Sequence, residues 1–361
     1  MIGFGTVSAI NRAKHISTGP GNKILTKTNY MEDLIMKKYA VLILGLSLLL
    51  TFSCQKSTTD SGDDLSQIEQ QNIAAIKTVL QDSAEISYDA LDDGNEDNID
   101  SDDPNWGGNA SLAKTGWIRT HFGRIAKRPV ERSVQVVLDT DSTATAYIYT
   151  KLKGIFVVRK AELDSLSFSL DRYEKPMTHE VERIVHLKKI NVSDTLYKNW
   201  KIVDVSMKEG ASPNNTVEIV QLDVVPAGMD SVVITDALSY FQDRRTVFTY
   251  KRGTEIKLRV TVKNNSANPM IYPEGTLATE SVRLHYGRNM AGHFARKNFT
   301  WVGQDAGGNN IYEGSWIIKQ FPGVHHAVID VIDNGTILSK DKDAYPYNSN
   351  TWATPYRVKR L

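Results

Sequence analysis

The sequence predicts an α+β domain followed by an all-β sandwich, both behind an N-terminal anchor. Three observations predict this fold class. A helical repeat of apolar residues begins at Leu65, long alternating runs follow it to residue 209, and short strand signals fill 216–361. The length of 361 residues suits two domains, and the composition, 41% hydrophobic and 24% charged, excludes a polytopic membrane protein and a wholly disordered chain.

Charge and cysteine content narrow the function classes. The 43 Lys and Arg residues nearly balance the 42 Asp and Glu residues, so no global basic field favours nucleic acid as a partner. A single cysteine excludes an internal disulfide framework and a zinc site built from several cysteines. The stability of the folded region therefore has to come from its own core.

Residues 36–53 are typical of a secretory signal peptide. Lys37 and Lys38 form a positive start, and 39–52 is an uncharged apolar stretch. At about 1.5 Å per helical residue this stretch is about 21 Å long, shorter than the roughly 30 Å hydrocarbon core of a bilayer. A start at Met36 leaves residues 1–35 as a mis-assigned upstream extension that is expected to be disordered.

The run Leu50-Thr51-Phe52-Ser53-Cys54 resembles a bacterial lipobox. The resemblance implies lipidation of Cys54, with residues 54–64 as a polar tether to the membrane. The implied location is the bacterial cell envelope, on the outer membrane or facing the periplasm, with the side left open. The alternative is an uncleaved N-terminal anchor in which the cysteine is incidental.

The region 65–209 begins with a helix and continues as strands. Apolar residues recur at helical spacing from Leu65, and Ser66 with Glu69 has the spacing of a capping box. A second, shorter helix is expected over 111–122. The strands expected after it are Val130–Leu138, Thr143–Val158, Glu162–Tyr173, His179–Ile190 and Lys198–Met207.

Between the two expected helices lies an acidic loop, 89–103, with many carboxylates and no cation. Asn98, Asp100 and Asp102 have the first spacings of an EF-hand, although Asp103 replaces the turn glycine. Two hypotheses follow, a solvated loop or a weak Ca²⁺ site. No other cofactor is predicted.

The segments TATAYIYTKLKGIFVV, VERIVHLKKI and NWKIVDVS, in this order after a long helix, resemble the NTF2-like (SnoaL-type, cystatin-like) family. The resemblance implies an α+β cone, in which helices pack in a bent antiparallel sheet around an apolar pocket. In such a pocket His121 or His186 would be a candidate general base. Packing remains the alternative for each pocket candidate: Tyr88, Trp117, His121, Tyr147, Tyr149, His186 and Trp200.

After a linker expected at 210–215, the region 216–361 predicts a β-sandwich domain. The segments KLRVTVKNNSANP and FPGVHHAVIDVIDNG resemble cysteine-free immunoglobulin-like domains. Tyr345, Tyr347 and Trp352 lie in a tail rich in polar residues, which favours either contact with carbohydrate or protein, or local packing.

Three functional hypotheses follow. The first is a membrane-anchored envelope lipoprotein that acts as a non-enzymatic ligand-binding or protein-assembly module, with envelope proteins or glycans as partners. The second is an enzyme with isomerase- or hydrolase-type acid/base chemistry in the cone. The third is a calcium-dependent or carbohydrate-contacting adhesion module. A large pocket where a histidine and a carboxylate converge would favour the enzyme, and an interior filled with apolar side chains would argue against it.

Overall fold

Antiparallel β-structure dominates the computed structural model, which describes residues 66–83, 86, 117–164, 167–190, 193, 195–243, 247–288 and 295–360. Helix α1, Gln67–Gln81, begins where the sequence predicts. The Ser66 hydroxyl accepts the Glu69 N–H, and the Glu69 carboxylate accepts the Ser66 N–H, which confirms the capping box. Ala75, Ile76 and Leu80 lie on the buried face of this helix.

The first five strands are β1 Trp117–Ala126, β2 Glu131–Thr140, β3 Thr143–Asp164, β4 Ser167–Lys189 and β5 Trp200–Ser206, and a 3-10 helix, Leu196–Asn199, precedes β5. The turn at Asp141 and Ser142 joins β2 to β3, which confirms the expected strands Val130–Leu138 and Thr143–Val158 as neighbours. The strand expected over Glu162–Tyr173 is wrong, because its residues are divided between β3 and β4, which pair along the whole length of β3.

The second half contains short strands and one short helix, α2, at Asn334–Leu338. The strands are β6 Lys208–Ala211, β7 Val217–Pro226, β8 Val232–Ile234, β9 Phe241–Asp243, β10 Thr249–Tyr250, β11 Glu255–Asn264, β12 Glu280–Arg288, β13 Ala295–Asn298, β14 Thr300–Gln304, β15 Asn310–Ile317, β16 Gly323–Asp333 and β17 Ser349–Val358.

These strands form two sheets that pack face to face. The large sheet has 12 strands, with the order β1-β3-β4-β6-β17-β16-β12-β13 along its main path, and the small sheet has the order β14-β15-β11-β7-β8. Alternate residues of both sheets fill the core between them. That core includes Leu222, Val260, Leu284, Trp316, Ile329, Trp352 and Tyr356. The architecture is all-β and sandwich-like.

The predicted α+β cone is wrong. The large sheet does not close around helices, because it continues from β4 through β6 into β17 and β16. The expected linker at 210–215 begins inside this sheet, since Gly210 and Ala211 belong to β6 and pair with both β4 and β17. Residues 65–361 accordingly form one compact unit.

The prediction of a second helix over 111–122 is also wrong for residues 117–122, which the structure describes as a strand. Residues 117–126 form β1, which pairs with β3 from Trp117 opposite Leu163 to Ala126 opposite Gly154. The long free edge of β3 supplies a partner for every one of these residues, and such pairing overrides a short helical period.

In the described part of the chain, no helix has both the length and the apolar character needed to span a membrane.

Candidate functional site

The large sheet curls until strands far apart in its order touch. Arg124 on β1 makes a bidentate salt bridge to Asp330 on β16, with distances of 2.6 Å from Nη1 to Oδ2 and 2.7 Å from Nη2 to Oδ1. In a flat sheet, five strand spacings of about 4.8 Å would separate these strands by about 24 Å. Arg283 on β12 also reaches β1, with its guanidinium carbon 3.6 Å from the centre of the Phe122 ring. The inner face of the curl is therefore an enclosed space.

Hydrogen bonds extend the ion pair across the curl. Arg124 Nε donates to the Tyr347 hydroxyl at 2.6 Å, and that hydroxyl lies 3.0 Å from His179 Nδ1. On the other side of the ring, His179 Nε2 lies 3.0 Å from Thr351 Oγ1, which donates to the Gly210 carbonyl. Because the Thr351 proton is used there, Nε2–H must donate to Thr351 and Nδ1 must accept from Tyr347. This order assigns His179 as the neutral Nε2–H tautomer.

Burial and the Arg124 charge set the protonation states in this network. Burial, with the nearby guanidinium, lowers the pKa of His179 to about 3. Burial alone would raise the pKa of Asp330, but Arg124 and the hydrogen bonds from His285 and Arg124 hold it well below its ordinary value. Burial also raises the pKa of Tyr347. Arg124 and Asp330 are therefore charged near neutral pH, whereas His179 and Tyr347 are neutral.

This network, which we call the curl network, stabilises the curl and has no exposed reactive atom. Arg124, His179 and Asp330 are all buried, and apolar side chains pack around them. The apolar neighbours are Phe122, Leu152, Phe156, Val158, Met177, Val181, Val328, Ile332, Ile337 and Ala353. The interior of the curl is thus filled, and its chemistry is that of a buried, satisfied ion pair.

A cavity of about 20 Å³ lies in the core between the two sheets. This volume holds about one water molecule. Its lining is mostly apolar and includes Met207, Leu258, Trp316, Trp352 and Tyr356. It is too small to hold a substrate.

The outer face of β2, β3, β4 and β5 carries a different group of side chains. Cross-strand pairing places Gln135, Tyr147 and Ile184 in one row, and Val137, Thr145, His186 and Asp204 in the next. We call these two rows the outer face. Tyr147 and Val137 are 47% and 42% exposed, which is unusual for large apolar side chains in the middle of strands.

His186 is held rigidly within the outer face. Its Nδ1 lies 2.7 Å from Asp204 Oδ1, and its ring stacks on Phe241 with centroids 4.3 Å apart. The side chains of His186 and Asp204 are 40% and 26% exposed. An imidazole fixed on two sides in this way presents its remaining edge to solvent and to any partner that lands on the sheet.

The structure separates the residues that the sequence grouped as one pocket. Tyr147, Tyr149 and His186 are on the solvent side of the sheet, whereas Trp200 is buried and donates from Nε1 to Asn72 Oδ1 at 3.1 Å. Trp117 and His121 lie on β1. Cys54, Tyr88, Asn98, Asp100 and Asp102 lie outside the described residues.

The aromatic residues expected to form a contact surface near the C-terminus are mostly internal. Tyr347 is 5% exposed and belongs to the curl network, and Trp352 is 2% exposed in the core between the sheets. Tyr345 is half-buried against Gly335. The surface-contact hypothesis is therefore wrong for Tyr347 and Trp352, because the alternation of β17 directs Trp352 into the core.

Sequence reasoning missed the curl network. A signal for it exists in the run Val328-Ile329-Asp330-Val331-Ile332, where one carboxylate interrupts an apolar strand and so requires a buried cation.

No group of three or more His, Cys, Asp or Glu side chains arranged to hold a metal ion is present among the described residues. Comparison of the chain with protein-family models and with curated proteins finds no match.

Proposed function

We propose that this chain is a lipid-anchored protein of the bacterial cell envelope that binds a partner, a protein or a glycan, on the outer face. The observation that carries the proposal is the exposure of Tyr147 and Val137, in neighbouring rows of the outer face, beside the fixed His186–Asp204 pair. Tyrosine and histidine with polar neighbours combine apolar area with hydrogen-bonding groups, as binding surfaces do.

The filled interior supports a binding role over catalysis. The curl network occupies the inside of the large sheet, and the cavity between the sheets has room for about one water molecule. A catalytic site normally needs a cleft that buries most of its substrate. The outer face is open, which suits a macromolecular partner.

The anchor rests on the residues before the fold. The lipobox-like run ends at Cys54, and helix α1 begins at Gln67. An extended chain spans at most about 3.5 Å per residue, so this segment can place the fold up to about 45 Å from the lipid. Metabolic labelling with a fatty acid tests the anchor: wild type should incorporate label and Cys54→Ser should not. Equal labelling of the two proteins would disprove lipidation at Cys54.

Site-specific photo-crosslinking in the native host tests the binding face. A photoreactive phenylalanine analogue is placed at Tyr147 and, as a matched control, at Tyr197, a tyrosine on the 3-10 helix that is 42% exposed. We expect a discrete crosslinked species from position 147 and none from position 197. Equal crosslinking at both positions, or no product at position 147, would disprove the outer face as the contact surface.

A further inference from the structure

One end of the sandwich combines several cations with an exposed aromatic side chain. Three segments of the chain meet at this end: the turn 251–253 before β11, the loop 318–322 between β15 and β16, and residues 357–360 at the end of β17. We call these three segments the basic tip, because their sequences contain Lys and Arg but no Asp or Glu. The exposed cations of the basic tip are Lys251, Arg252, Lys319, Lys359 and Arg360.

Backbone contacts hold the three segments together. The Gly253 N–H donates to the Ile318 carbonyl at 2.8 Å, which joins the turn to the loop. The Lys359 N–H donates to the Tyr250 carbonyl at 2.9 Å, and the first residue of β16 is paired with the last residue of β17. The fold therefore brings these cations to one end of the molecule, although they come from distant parts of the sequence.

Within the described part of the chain, the cations of the basic tip make no ion pair with a carboxylate. The contact that Arg252 makes is with Phe321, whose ring centre lies 5.9 Å from its guanidinium carbon. Glu255, the closest carboxylate along the chain, is half-buried at the start of β11. Like charges gathered in this way repel each other, and an anionic partner removes that repulsion.

Phe321 adds an apolar group to this charged end. It is 74% exposed, the highest value for a large apolar residue in the part of the chain that the structure describes. Lys319 lies two residues before it, and Arg252 contacts its ring. This combination matches two properties of a bilayer, because anionic headgroups attract cations and the boundary between headgroups and acyl chains accepts apolar side chains.

We infer that the basic tip binds the surface of an anionic lipid bilayer, with Phe321 inserted at the boundary between headgroups and acyl chains. A soluble polyanion would also neutralise the cations, but it would leave the Phe321 ring in water, so a bilayer matches the tip better. The inference requires neither lipidation of Cys54 nor a partner on the outer face, and it therefore goes beyond the proposed function.

A polarity-sensitive dye on the basic tip tests the inference in the full chain. Cys54, the only cysteine, is replaced by serine, and Pro322→Cys next to Phe321 carries the dye. Vesicles of phosphatidylcholine and phosphatidylglycerol in equal parts should shift the emission of the dye to shorter wavelength, whereas vesicles of phosphatidylcholine alone should not. High salt should reverse the shift, because it screens the attraction between the cations and the headgroups.

Ile271→Cys provides the matched control position for the dye. Ile271 is an exposed apolar residue, and the carbonyl of Met270 before it accepts from Asn334, which directly follows β16, at 3.1 Å. Phe321 precedes β16, whose 11 residues span about 35 Å, so the two dyes lie at opposite ends of this strand. Equal shifts at both positions would show that another segment, such as 39–52, brings the chain to the lipid, and would overturn the inference.

Charge variants of the labelled protein separate the basic tip from net charge. Lys319→Gln/Lys359→Gln should weaken binding to the anionic vesicles by about tenfold or more, because each basic residue near an anionic surface changes affinity by about fivefold. Lys263→Gln/Lys342→Gln removes the same charge from exposed positions outside the tip and should bind like the parent. Equal affinities of these two variants would overturn the inference.

Phe321→Ser separates a bilayer from a soluble polyanion as the partner. It should weaken binding to the anionic vesicles and reduce the emission shift of the dye, because the apolar insertion is lost. If Phe321→Ser binds as tightly as the parent, or if heparin produces the same emission shift as the vesicles, the tip recognises anionic groups without insertion. Either result, or no shift with the anionic vesicles, would overturn the inference.

Discussion

Gly210 lies directly against the imidazole of His179. A Cβ atom on Gly210 would be 2.7 Å from His179 Nε2 and 2.6 Å from Thr351 Oγ1. These two atoms are hydrogen-bonded to each other at 3.0 Å. Glycine is thus required at this position so that β6 can pass beneath the His179–Thr351 hydrogen bond, and backbone conformation plays no part in the requirement.

Gly210→Ala should therefore lower the free energy of unfolding by about 1–3 kcal/mol, the usual cost of overpacking a buried site. Urea denaturation measures this change. Gly307→Ala is the control, because Gly307 lies in an exposed turn and the nearest atom to its Cβ, an Asp305 carboxylate oxygen, is 3.3 Å away. Equal stability of the two variants would show that the close approach at Gly210 does not affect the free energy of unfolding.

Removal of one partner of the Arg124–Asp330 pair should strongly lower the free energy of unfolding. Arg124→Met leaves Asp330 as a buried charge without its bidentate partner, although its hydrogen bonds with His285 and Ser349 remain, and we expect a loss of about 3–5 kcal/mol in unfolding free energy. The double variant Arg124→Met/Asp330→Leu should be more stable than Arg124→Met. Lys153→Met, which breaks the exposed pair with Glu131, should cost much less, because solvent screens that pair. Equal losses for Arg124→Met and Lys153→Met would contradict the role of the curl network.

His179 should make stability depend on pH under acidic conditions. Its pKa is about 3 in the folded protein and near 6.5 in the unfolded chain, so the unfolded state binds more protons between these values. The contribution of His179 is complete above about pH 6.5 and is lost as the pH falls towards 3, with a slope of at most about 1.4 kcal/mol per pH unit. The difference between wild type and His179→Gln should therefore shrink on acidification.

Urea denaturation of both proteins at several pH values between 4 and 7 checks this expectation. Trp200→Phe serves as the control, because it breaks the buried hydrogen bond to Asn72 and removes no group that titrates in this range. Its difference from wild type should stay nearly constant between pH 4 and 7. Parallel profiles for wild type and His179→Gln would show that His179 is not held neutral by its surroundings.

Local pattern predicts the parts of this fold that depend on neighbours in sequence. The capping box at Ser66 and Glu69 and the hairpin between β2 and β3 need only a few consecutive residues, and both are confirmed. The curl depends on contacts between residues more than 200 positions apart, such as Arg124 and Asp330. Periodicity contains no information on which distant strand supplies the cation for a buried aspartate.

The same reason explains the wrong placement of site residues. Alternation on β3 correctly puts Tyr147 and Tyr149 on one face, but it does not say whether that face is interior or solvent. The structure makes it the outer face because β2 to β5 pack α1 on their other side, through Ala146 and Ile148. The NTF2-like resemblance implied instead that Tyr147 and Tyr149 are candidates to line a pocket on the inner face of the sheet.

Lys175 should make stability depend on pH under alkaline conditions. Its buried ammonium group donates to the Gly335 carbonyl at 3.1 Å, and Lys160 donates to Leu338 at 2.6 Å, so both lysines bind carbonyl groups of helix α2. Burial lowers the pKa of Lys175 to about 8, although Asp333 and Asp341 oppose the shift. The unfolded chain, with a pKa near 10.4 for lysine, then binds more protons above pH 8, so stability attributable to Lys175 rises between pH 8 and 10.

Lys175→Met removes this titration. The free energy of unfolding of wild type relative to Lys175→Met should therefore increase from pH 7.5 to pH 9.5, because the wild-type amine loses a buried charge but can still donate a hydrogen bond. Thr336→Val, which removes the helix α2 hydroxyl that donates to the Pro346 carbonyl and no group that titrates in this range, should show no such trend. A wild-type advantage that stays constant or falls over this range would mean that the Lys175 ammonium is as well solvated in the fold as in the unfolded chain.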